Sequence, residues 1–476
     1  MKKILFLLLA SALFVVACKK DFGDINVDTK KPSEVPPAPL FSHAQKQMAD
    51  LVTNPNVNVN VFRLFSQYWT ETTYTDEANY DLSTRNIPQN FWNSMYVNVL
   101  KNLDECQTLL PTQTLATAEQ LKNQNACVEI MTVYAYSTLV NVYGNVPYTD
   151  ALDYNNVFPK YDDAKTIYTD LGRRLDAALN TIDEGADGFG SNDLIFAGDM
   201  AAWKKFGNSL KLRMGITLAD ADPAAAKTMI EAAVSGAIAD NADNCYFKYL
   251  SAPPNTNQIW VDLVQSGRKD YVAANTVVDI MNALGDPRVP SYFTTDANGG
   301  YTGGIYALSN NYATYSKPAD RITEPDFEAT LFDAAETHFI LAEAAERGMN
   351  VGGTAAEHYE AAIRASMTYW EVATADQDAY LAKADVAYAT ASGDWKKKIG
   401  TQKWIALYNR GLEGWTEWRR LDYPILNVPE GKTYGDIPVR FPYPVQEQNL
   451  NTANWQAASS AVGGDVVGTK LFWDKN

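Results

Sequence analysis

Histidine is nearly missing from this 476-residue chain: His43, His338 and His358 are scattered without metal-ligand spacing, so no zinc site and no cofactor is expected. Cysteine is almost as scarce, at four residues, which excludes a disulfide-built scaffold. Basic tracts are missing too. With a formal net charge of -17, nothing forms a positive stripe for phosphates, and a nucleic-acid partner is excluded. Beyond the first 17 residues no apolar run reaches membrane-spanning length.

What is present begins at the N-terminus, where Lys2 and Lys3 precede an apolar run from Ile4 to Val16. The run is too short for a stable membrane helix and fits the core of a signal peptide, so residues 1–17 are read as a removable export segment. Val15, Val16, Ala17 and Cys18 resemble the lipobox of bacterial lipoproteins, with valine where leucine is commonest. Cys18 is therefore the expected lipidation site, and several acyl chains there would anchor an otherwise soluble chain. Lipidation leaves Cys106, Cys127 and Cys245, an odd number. Cys106 and Cys127 lie on successive predicted helices and could pair, or each could serve as a small buried hydrophobe.

Residues 18–39 carry Pro32, Pro36, Pro37 and Pro39 and read as an extended spacer. From residue 40 the pattern becomes helical, and residues 40–476 are read as a single domain. Trp92, Met95, Tyr96, Val99, Leu103 and Cys106 recur at steps of three and four until Pro111. Cys127 to Val142 and Ala164 to Ile182 give the two arms of a helix hairpin. A second hairpin turns at Asp222 and Pro223, a cap followed by proline at the first helical position. A third turns at Gly348, with Thr354 and Glu357 as a capping box, and a fourth lies within residues 376–418. About four hairpins in series predict an all-α fold of tetratricopeptide-like geometry, although no steady 34-residue period is present.

Residues 245–326 interrupt the array with proline, glycine and asparagine and one clear helix near residues 276–284. Long insertions of this kind tend to carry function. Aromatic residues make up 12% of the chain, with Tyr 27 and Trp 11, and many fall here or in residues 68–90. Sugar rings present apolar C–H faces to indole and phenol, and their adjacent hydroxyls match the paired groups of arginine and aspartate. Trp69, Tyr74, Tyr80, Trp260, Tyr301 and Tyr306 are accordingly read as a stacking platform, with Arg268 as a polar clamp. The same rings could also be buried beneath the loops.

The segments TQKWIALYNRGLEGWTEWRRLDY from Thr401 and IPVRFPYPVQEQN from Ile437 resemble the C-terminal signature of SusD/RagB-like outer-membrane lipoproteins. YGNVPYTDAL from Tyr143, AWKKFGNSLKLRM from Ala202, GRKDY from Gly267 and DPRVPSYF from Asp286 agree with it, as do Ile25 to Asp28 after the cysteine. The resemblance implies a helical SusD-like superhelix, display at the outer membrane, and delivery of glycans or peptides to a SusC-like TonB-dependent transporter. It carries over no binding residues. The leading expectation is a non-enzymatic nutrient-binding lipoprotein. The alternatives are a peptide-binding member of the same system, a helical adaptor that binds only protein, and a surface glycoside hydrolase. The last would draw two carboxylates from Asp76, Asp81, Asp262, Asp270 and Asp296.

Overall fold

The computed structural model of the protein describes residues 35–430 and 437–475. The signal segment, Cys18 and most of the expected spacer lie outside the described residues. The compact unit spans Pro37–Asn476. Its first helix, α1 (Pro37–Thr53), starts within the stretch read as spacer, with Pro37 and Pro39 in the first turn, where backbone N–H groups have no intrahelical acceptor.

The predicted helix ending at Pro111 is composite. An α-turn over Ile87–Asn93 passes into a π-helical stretch, Ser94–Leu100, before α2 (Lys101–Leu109). Met95, Val99, Leu103 and Cys106 still face inward and pack beside α1. Then come α3 (Ala118–Tyr143) and α4 (Ala164–Thr181), paired side by side, and α5 (Met200–Thr217) with α6 (Pro223–Ala233). Each start has a chemical cause. Thr117, Asp163, Asp199 and Asp222 accept from the backbone N–H three residues on, which satisfies one of the helix's orphan donors.

After α7 (Asn275–Leu284), the hairpin of α8 (Ala334–Glu346) and α9 (Ala355–Tyr369) turns at Gly348, whose φ of +74° suits glycine. The Thr354–Glu357 capping box is present in full. The fourth region resolves into α10 (Thr374–Leu381), α11 (Trp395–Ala406) and α12 (Gly411–Leu421), and α13 (Thr452–Val462) follows near the end. The result is the expected all-α fold of serial hairpins.

The insertion holds more regular structure than its composition suggests. Two two-stranded antiparallel ribbons tie it to segments outside it: β1 (Trp69–Glu71) with β5 (Tyr271–Ala273), and β4 (Cys245–Phe247) with β6 (Ala329–Phe332); a third, β2 (Val146–Pro147) with β3 (Tyr161–Asp162), closes the loop between α3 and α4. Cys106, Cys127 and Cys245 are buried free thiols, so the possible Cys106–Cys127 bridge is not formed. Burial pushes the Cys106 thiol up to about 12, which leaves it protonated and inert.

The C-terminal motifs form a staple. Arg420 on α12 pairs with Glu343 of α8 and with Glu417, while Lys403 on α11 reaches Glu417 at 3.0 Å; all four side chains are almost fully buried. Arg419 lies 3.5 Å from the Trp415 ring centroid and donates to the carbonyls of Asn141 and Val439. Arg440 donates to the Tyr143 carbonyl and pairs with Asp465 at 3.0 Å. Guanidinium groups with several donors thus clamp the last helices onto the first hairpin.

Candidate ligand-binding site

The β1–β5 ribbon sets Trp69 opposite Ala273, Thr70 opposite Val272 and Glu71 opposite Tyr271. Two stretches about 200 residues apart in sequence thereby share one surface. The Thr72 N–H donates to the Asp270 carbonyl at 2.9 Å and its hydroxyl to the Lys269 carbonyl at 2.7 Å. A third segment joins them: the Gly304 N–H donates to Ala273, Ala273 to Ser316, and Asn310 to Thr72. Glycine is needed at position 303, because a Cβ there would stand 2.4 Å from the Asn275 nitrogen. The exposed side chains of these loops therefore rise from a hydrogen-bonded base.

The seven residues read as ligand contacts separate by burial. Trp69 is 1% exposed; its indole N–H donates to the Tyr408 hydroxyl at 3.0 Å, and the Arg63 guanidinium lies 4.9 Å from its ring. Tyr80 is buried against Phe65 and Tyr306, and the Tyr306 hydroxyl donates to the Leu64 carbonyl. Burial raises the pKa of both phenols, that of Tyr80 to about 12. These three rings offer no free face for a ligand, and their part in the platform is corrected to core support for the loops. Apolar area draws a ring inward whenever distant strands close over it.

Tyr74, by contrast, is 75% exposed. It shares a shallow pocket of about 30 Å³ with Arg268, whose Nε donates to Asp270 Oδ2 at 2.5 Å, and with Arg85 and Glu71. Trp260 is half-buried in a short helix, Gln258–Trp260, that runs into a π-turn ending next to Ser266. Tyr301 is half-buried, its carbonyl accepting from Asn282 on α7. The structure brings Tyr74 and Arg268 together in the pocket; Trp260 and Tyr301 do not line it.

Three further groups were not assigned to the ligand from sequence. Tyr312 lies between two ammonium groups, Lys269 at 5.6 Å and Lys317 at 5.2 Å from its centroid. Arg85 Nε is bonded to Glu77 Oε1, and Glu71 Oε2 accepts the Ala78 N–H at 3.0 Å. Burial, reinforced by the neighbouring Glu77 charge, pushes the Glu71 carboxyl up to about 9, so Glu71 is a neutral acid at pH 7. Of the carboxylates considered for hydrolysis, Asp81 accepts from Ser83 and Thr84, Asp296 from Asn298, Gly300 and Thr302, and Asp270 from Arg268. Each of these three closes a turn or holds an arginine.

An exposed phenol beside a carboxylate-oriented guanidinium suits a polar ligand with one apolar face, held shallowly. A family model described as "Starch-binding associating with outer membrane" matches residues 29–444. A solved structure described as a chitin-binding protein is 26% identical, with 92% of this chain and 100% of that chain covered and a TM-score of 0.80. A chitin-binding SusD homolog from Flavobacterium johnsoniae is 26% identical, with 92% and 98% covered and a TM-score of 0.76. A SusD homolog from Bacteroides uniformis is 26% identical, with 92% and 99% covered and a TM-score of 0.77. No curated protein matches the chain.

Proposed function

The chain belongs to the SusD-like family, and from that premise we propose that it is a lipid-anchored, surface-exposed protein that captures a glycan and delivers it to a SusC-like TonB-dependent transporter. In this reading it binds and does not catalyse. Cys18 holds it to the outer membrane, the helical array gives it shape, and the loops around β1 and β5 meet the ligand. The observation that carries the reading is the exposed Tyr74 beside the Arg268–Asp270 pair on a hydrogen-bonded loop base. A sugar ring stacks on the phenol while its hydroxyls bond to the guanidinium and carboxylate. The starch wording of the family description and the chitin wording of two similar structures name the first glycans to try.

Calorimetric titration of the mature chain with maltooligosaccharides and chitooligosaccharides, with a peptide pool as control, tests it. Saturable binding of one glycan class, with the transporter recovered alongside the protein from detergent extracts, is expected. Absence of glycan binding, or binding confined to peptides, overturns the reading.

A further inference from the structure

Away from the loops, a cleft of about 590 Å³ opens between α2, α3 and α4, with none of its lining shared with the Tyr74–Arg268 pocket. Cavities of 300–1,000 Å³ are the size of small-molecule sites. Its wall is organised around Glu129 of α3. Glu129 Oε1 accepts from Gln107 Nε2 at 2.6 Å, and Oε2 accepts from Arg174 Nε at 2.8 Å. Arg174 Nη1 donates to the Tyr148 hydroxyl at 3.0 Å, and that hydroxyl donates to Asp170 Oδ2 at 2.5 Å.

The charges cancel locally. Glu129 is paired with Arg174, Asp170 with Arg173 and Asp104 with Lys101. A charged ligand finds no uncompensated opposite charge here, and desolvating it would go unrepaid. Neutral hydrogen-bonding groups remain. Gln107 Nε2 also donates to Asn125 Oδ1 at 3.0 Å, which leaves Asn125 Nδ2 as a donor and Gln107 Oε1 as an acceptor, neither with a partner among the described residues. An adjacent donor and acceptor match two neighbouring hydroxyls, and Leu152 and Ala178 supply apolar patches for C–H faces.

We propose that this cleft is a second carbohydrate site, taking a neutral saccharide unit independently of the Tyr74–Arg268 pocket. The ligand class rests on the glycan-capture reading, whereas the location rests on the cleft. Two contact regions on one chain would raise avidity for a long glycan without tightening either site.

Saturation-transfer NMR with millimolar glucose and N-acetylglucosamine tests the proposal on the mature chain. The comparison uses Tyr74→Ala/Arg268→Ala, and the same variant carrying Ala177→Trp, which fills the cleft from an exposed position on α4. Transfer should persist in the first variant and vanish in the second. Asn125→Ala, which trims the wall instead of filling it, should weaken the remaining transfer at least threefold. Loss of all transfer in Tyr74→Ala/Arg268→Ala, survival of transfer after Ala177→Trp, or no transfer from any sugar to the wild-type chain overturns the cleft. If the wild-type signal is unchanged by Tyr74→Ala/Arg268→Ala and abolished by Ala177→Trp alone, the cleft stands and the pocket reading falls.

Discussion

Replacing Glu71 by glutamine should stabilise this protein at alkaline pH. Glu71 is 5% exposed, and its carboxyl is held up to about 9 against an ordinary 4.5, first by burial and then by the Glu77 charge. A raised folded-state pKa means that the native chain keeps a proton the unfolded chain has released. Its contribution to stability is therefore complete below 4.5 and is lost as pH rises toward 9. Within that window one retained proton makes stability fall by on the order of 1 kcal/mol per pH unit as pH rises. The amide of Glu71→Gln keeps the shape, can accept from the Ala78 N–H and can donate to Glu77, but it does not titrate. Urea unfolding of both proteins at pH 6, 7 and 8 reads the titration of the Glu71–Glu77 pair, because the titrating groups outside that pair are common to both proteins. The wild type should lose stability more steeply than the variant, by on the order of 2 kcal/mol across the range. Parallel pH slopes, or a variant less stable at pH 8, would refute the assignment of a neutral acid beneath the ligand surface.

Arg420→Met should cost about 3 kcal/mol in chemical denaturation, since it removes the guanidinium between the buried Glu343 and Glu417 carboxylates and leaves them Arg347 and Lys403 alone; a loss below about 1 kcal/mol would contradict the staple. His338 Nδ1 lies 3.4 Å from His358 Nδ1, with Asp240 near the first ring and Glu357 near the second. Burial holds both imidazoles below the ordinary 6.5, so their contribution to stability is present above pH 6.5 and is lost as pH falls through the folded-state values. NMR titration should give both midpoints below 6.5, and one above it would reverse the sign. Cys18→Ala should shift the protein from membrane to soluble fractions on cell fractionation while leaving ligand affinity within twofold.

The hairpins were legible because their signals are local. Thr354 and Glu357 are three residues apart, and Asp222 adjoins Pro223, so the cap, the turn and the apolar face can be read within one window of sequence. The π-helical stretch over Ser94–Leu100 was not legible, since steps of three and four describe its buried face as well as they describe an ordinary helix. Trp69 and Tyr80 misled for a physical reason. They sit in a loop-rich, polar stretch that looks solvent-facing, and what buries them lies more than 200 residues away, the ribbon partner β5 for Trp69 and the Tyr306 ring for Tyr80. Tyr74 and Arg268, read from sequence as a stacking ring and a polar clamp, are both exposed, and their shared pocket depends on that same long-range pairing. The Glu71–Glu77 pair carried no sequence signal, because a spacing of six in irregular backbone gives no reason for two carboxyls to meet.

The account stands most directly on the affinity of Tyr74→Ala/Arg268→Ala for whichever starch- or chitin-derived oligosaccharide the wild-type chain binds, measured by titration calorimetry beside a thermal melt. Both side chains are exposed, so the melting temperature should stay within about 2 °C while affinity falls at least tenfold, about 1.4 kcal/mol. Unchanged affinity in a correctly folded double variant would contradict the placement of the ligand on the β1–β5 surface.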